Sequence, residues 1–117
     1  MKTLFNGIAI LFSILFAYAA IVQFNDPDAY LWFAIYGLAI LASILFLVKR
    51  LSFLTAVILA VLYLGGTFML WPEKFEGVEI GQGDIVNIER AREALGLLIV
   101  AVVMLVYAIG ARMRSRS

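Results

Sequence analysis

The chain has 117 residues, of which 65% are hydrophobic, with a mean hydropathy of +1.05 and a formal charge of +1. It contains no cysteine and no histidine, which excludes disulfides, thiol redox chemistry, Cys/His zinc sites, His-ligated haem and a histidine base. Any chemistry must use carboxylates, amides, hydroxyls, Arg, Lys or backbone, and the long apolar runs point to lipid as the solvent.

Four runs follow in chain order, predicted as helices over about 4–24, 29–48, 51–71 and 86–111. Runs of roughly 20 residues reach about 30 Å at 1.5 Å per residue, the thickness of a bilayer's hydrocarbon core. In lipid only a helix or a closed barrel satisfies its own backbone. The expected fold is therefore an all-α membrane protein: one domain over 1–117, four transmembrane helices in an antiparallel up-and-down bundle. Such a bundle places the fourth helix beside the first. The N-terminal run also has the features of a signal peptide, Met-Lys and an apolar stretch ending near Ala17-Tyr18-Ala19. It continues to Val22, however, and is read here as a retained span.

The connections differ in character. Asn25-Asp26-Pro27-Asp28 joins the first two runs, and Lys49-Arg50-Leu51-Ser52 makes a tight turn with Ser52 as an N-cap for the third. The loop 72–85 carries Gly77, Gly81 and Gly83. After it the fourth helix begins outside the membrane, capped at Asp84 or Asn87.

Charge sets an orientation. Lys2, Lys49, Arg50, Arg112, Arg114 and Arg116 fall on one side, Lys74, Arg90 and Arg92 on the other, and all eight acidic residues lie with the smaller group. By the positive-inside rule both termini are cytoplasmic, with Asn25–Asp28 and 72–93 on the outer (periplasmic or lumenal) side. No charge sits mid-span, which argues against a proton relay or ion pump.

The segment "FNDPDAYLW" has two readings. As a turn, Asp26 caps the second helix, Pro27 suits its first position and Asp28 faces the positive end of the helix dipole. As a site, Asp28, Trp32 and Tyr36 form a four-step stripe. On the fourth helix Glu89, Glu93, Gly96, Val100, Val103, Tyr107 and Gly110 share one face, where glycine admits close approach. Gln23, Asn25, Asp26, Asp28, Trp32, Tyr36, Glu89 and Glu93 then become candidate ligand-binding residues around an outward-facing polar pocket, with Pro27 and Gly96 structural. The plainer alternatives are an aromatic belt for Trp32 and Tyr36, and a solvated face with Glu89–Arg92 pairing for the helix start. Ser13, Tyr18, Thr55, Tyr63, Thr67 and Tyr107 are expected as interhelical hydrogen bonders. Thr55, Leu59, Tyr63, Thr67 and Trp71 form a stripe on the third helix.

The stretch "VQFNDPDAYLWFAIYG", taken with Glu89-Arg-Ala-Arg-Glu-Ala-Leu-Gly-Leu-Leu-Ile at the last span, resembles the transmembrane protein 220 family over nearly the whole chain. The resemblance implies four spans. It marks Gln23, Asn25, Asp26, Pro27, Asp28, Trp32, Tyr36, Glu93 and Gly96 as signature positions, and it implies no reaction. The expected function is that of a small non-enzymatic membrane protein, an accessory or scaffolding subunit binding a protein partner, a second copy or lipid through its outer face. The first alternative is an outward-facing acidic pocket for a cation or cationic small molecule, with oxygen ligands suited to Ca²⁺ or Mg²⁺. Next comes an acid/base enzyme acting on a lipid-borne substrate. No cofactor and no nucleic-acid partner are expected, and the metal question stays open.

Overall fold

The structure, a computed structural model, describes residues 2–22, 29–71 and 85–115; the side chains of residues 2, 85–89 and 115 fall outside that description. The described residues form four helices: α1 (Lys2–Ile21), α2 (Ala29–Leu47), α3 (Phe53–Leu70) and α4 (Ile85–Ser115). Each includes a stretch long and apolar enough to cross a membrane. Helix α4, at 31 residues, is the longest; at 1.5 Å per residue it reaches about 46 Å, more than the hydrocarbon core needs.

Local chemistry explains the ends. Ser52 caps α3: its Oγ accepts from the Thr55 N–H at 3.1 Å and donates to Thr55 Oγ1 at 2.8 Å. Helix α2 closes differently. The Arg50 N–H bonds back to the Leu45 carbonyl at 2.7 Å and the Lys49 N–H to that of Phe46 at 3.1 Å, the paired closure that needs a left-handed residue after the helix. Lys49 occupies that place with φ 64°. Arg112 and Arg114 end α4, where cations favour the negative pole of the helix.

Helix α1 packs chiefly on α2, and α3 on α4; α4 also meets α1 and α2. Side-chain contacts give the directions. Phe5 meets Phe46 and Phe16 meets Tyr36, so α1 and α2 run in opposite senses. Gly66 abuts Leu97 while Phe53 lies under Arg112, so α3 and α4 are also opposed. Tyr36 reaches Gly96 and Phe46 reaches Gly110, so α2 and α4 run in the same sense. This is up-and-down connectivity. The expected neighbour relation of α1 and α4 is present, with Phe5 against Gly110.

Small residues bring the helices close. Ala56 and Ala60 on α3 and Ala94, Ala101 and Ala108 on α4 are buried, as are Ala9 on α1 and Ala39 and Ala42 on α2. In lipid, where apolar side chains gain nothing by leaving the solvent, such close packing is a main source of association. Large side chains such as Ile14, Ile21, Leu54, Leu62 and Phe68 point outward, a surface suited to acyl chains and unsuited to water.

Two of the expected hydrogen bonders tie helices together. Tyr63 donates to the Ile35 carbonyl at 2.5 Å, and Tyr107 lies 2.6 Å from Ser43 Oγ. Ser13 and Thr67 instead donate to carbonyls four residues back on their own helices, Thr55 bonds to Ser52, and Tyr18 is exposed. A hydroxyl on a helix has its own i−4 carbonyl always within reach, and crosses to a neighbour only when its side chain is long enough. The four-step stripe on α3 is also shifted. The buried positions are Ala56, Ala60, Tyr63 and Thr67, while Thr55 and Trp71 are exposed.

Candidate functional site

Of the sequence-selected residues, Gln23, Asn25, Asp26, Pro27 and Asp28 lie outside the described residues, and so does the side chain of Glu89. The remaining four, Trp32, Tyr36, Glu93 and Gly96, come together at one end of the α2–α4 contact.

Trp32 and Tyr36 are one turn apart on α2 and both are buried, Trp32 to 2% exposure. Their rings lie 6.0 Å apart, and Tyr36 continues the row to Phe16 of α1 at 6.2 Å. The Tyr36 hydroxyl runs across to α4 and sits on Gly96. A Cβ at that position would be 2.6 Å from the hydroxyl oxygen. Glycine is required here for close approach, not for backbone conformation. Glu93, one turn earlier on α4, is half-buried and close enough for its charge to act on the Tyr36 hydroxyl. The Trp32 indole N–H is fully buried and makes no hydrogen bond among the described residues. Leaving a buried donor unspent costs about 1–3 kcal/mol.

Among the described residues no group of three or more carboxylates could hold a metal ion. Among the described residues this end holds a packed aromatic floor, a buried N–H without a hydrogen bond, and the Glu93 carboxylate.

The glycine face of α4 was legible in sequence, and Val100, Val103, Tyr107 and Gly110 are buried along it. Two partners of that face were not. Ser43 bonds Tyr107, and the Phe46 ring stacks on Tyr107 at 4.8 Å and 15° while abutting Gly110. Their signal was available only in retrospect: Ala39, Ser43 and Phe46 continue the stripe of Trp32 and Tyr36 down α2 at helical spacing.

The family model described as transmembrane family 220, helix, matches residues 15–109. The chain belongs to this family. The match spans the Trp32–Tyr36 pair, the Glu93–Gly96 step and all of α2 and α3, so the resemblance carried by the Asn-Asp-Pro-Asp stretch and the start of the last span extends through the intervening helices. No curated protein matches the chain, and neither does any solved structure. Family membership therefore fixes a small multi-pass membrane protein and brings no ligand with it.

Proposed function

We propose that this family 220 protein is a non-enzymatic accessory or scaffolding subunit that binds a protein partner or a lipid through the end carrying Trp32, Tyr36 and Glu93. In this reading that end faces outward and both termini are cytoplasmic, as the six-to-three division of basic residues indicates. The observation that carries it is the buried, unspent indole N–H of Trp32. A purely structural ring at that place avoids the cost of the donor by being phenylalanine. Tryptophan is explained when binding of a partner or headgroup shifts the residues that cover the N–H and brings an acceptor to it. The Tyr36–Gly96 contact beneath it supports this reading, since it holds the floor rigid and limits the ordering cost of binding.

Native mass spectrometry of gently solubilised protein tests the proposal. The wild type is expected to carry a discrete protein or lipid adduct that Trp32→Phe loses while remaining folded. Retention of the same adduct by Trp32→Phe would remove the support. A bare cation adduct stripped by chelator would favour the acidic-pocket alternative, in which Glu93 is the described carboxylate. For the orientation, a cysteine introduced at Gly81 should react with an impermeant label from outside intact cells; protection there reverses it.

A further inference from the structure

The opposite end of the bundle has a second site-like feature. The α2–α3 turn and the last turn of α4 enclose a pocket of about 330 Å³, lined by Lys49, Leu51, Ser52, Phe53, Ala111 and Arg114. A water occupies about 30 Å³ of liquid, so this space suits a group the size of a phosphodiester headgroup. Two of the six lining residues are cationic. Arg114 is held in place: its Nη1 donates to the Phe46 carbonyl at 3.1 Å, and its guanidinium lies 4.5 Å over the Phe46 ring. Arg112 stands over Phe53 at 5.3 Å, adding a further cation beside the pocket. The sequence has no Asp or Glu between Asp28 and Glu73 and none after Glu93.

We propose that this pocket binds the phosphate of an anionic phospholipid headgroup. Positive pockets between spans at the membrane surface attract such groups, each Lys or Arg contributing through the surface field. The choice of a lipid over a free phosphate rests on the pocket's flank. Val48, Phe53 and Leu54 are exposed apolar residues beside it, a surface along which acyl chains lie while the phosphate meets Lys49 and Arg114. The site is at the other end of the helices from the Trp32 rim and stands or falls independently of it.

Lys49 makes the proposal testable without unfolding the protein. Its φ of 64° lies in the region glycine prefers. Lys49→Gly therefore removes the charge while easing the turn. In lipid-free detergent this variant should unfold at the same temperature as wild type or higher. Titrating phosphatidylglycerol into the micelles should stabilise the wild type more than phosphatidylcholine does. The apparent affinity for phosphatidylglycerol should fall about fivefold in Lys49→Gly, the loss of one surface cation, and further in Lys49→Gly/Arg114→Gln. Phosphatidylcholine should bind all three alike, and inorganic phosphate should not stabilise any of them. Equal response to the two lipids, or an unchanged phosphatidylglycerol affinity in Lys49→Gly, would overturn the site. Stabilisation by inorganic phosphate equal to that by phosphatidylglycerol would overturn the lipid as its occupant.

Discussion

Gly96→Ala should destabilise this protein, and Tyr36→Phe should remove most of the penalty. An alanine Cβ at Gly96 would stand 2.6 Å from the Tyr36 hydroxyl oxygen, against the 3.4 Å at which ordinary contact begins. Tyr36 is 8% exposed and its ring packs on Phe16 and Trp32, so the hydroxyl cannot swing aside without moving buried aromatics. Overpacking of this kind costs about 1–3 kcal/mol. Alanine also returns helix propensity worth at most about 1 kcal/mol, and less where lipid keeps an unfolded span helical. The net loss in the wild-type background is therefore about 1–2 kcal/mol. In Tyr36→Phe the oxygen is gone, and the nearest ring atom, Cζ, lies 3.9 Å away at an ordinary contact distance. There Gly96→Ala should be neutral or slightly stabilising. Unfolding of the four proteins by sodium dodecyl sulfate titration in mixed micelles gives the coupling directly, expected at about 1 kcal/mol or more between groups in contact. An equal cost of Gly96→Ala in both backgrounds would refute the contact as the reason for glycine.

Other substitutions probe the rest of the bundle. Ser43 donates to the Ala39 carbonyl at 2.9 Å, so the hydrogen in its 2.6 Å contact with Tyr107 comes from the tyrosine; Ser43→Ala should then cost about 1–3 kcal/mol by stranding that hydroxyl, and Tyr107→Phe should make the serine change nearly silent in the same titration. Gly110→Ala should destabilise by about 1–3 kcal/mol, because a Cβ there would lie 2.8 Å from Phe46 and 3.0 Å from Phe5; removing a single hydroxyl cannot relieve it, and rescue is expected only from smaller side chains at both rings. Ser52→Ala should lower stability by about 1 kcal/mol by removing the α3 cap, while Ser52→Asp should retain most of it; equal thermal midpoints for wild type and Ser52→Ala would show that the cap contributes little.

The sequence by itself determined the number of spans, their helical state and the lipid setting. Each of these depends on run length and composition, which act locally: about 20 apolar residues must satisfy their backbone internally wherever they lie in the bilayer. It also determined the glycine face of α4 and the pairing of Trp32 with Tyr36, because a helix brings residues three and four apart onto one side. Only the tertiary structure decided what those faces meet. That Tyr36 sits on Gly96, that Ser43 answers Tyr107, and that Phe46 lies between Phe5, Tyr107, Gly110 and Arg114 all depend on the relative rotation of helices. In lipid that rotation is set by how closely small residues let backbones approach, not by an apolar stripe seeking the core. Helices that are apolar on every side carry little of this information in their own periodicity. Arg112 and Arg114 illustrate the division: composition reads them as topology markers, whereas only the packed α4 sets one over Phe53 and the other over Phe46.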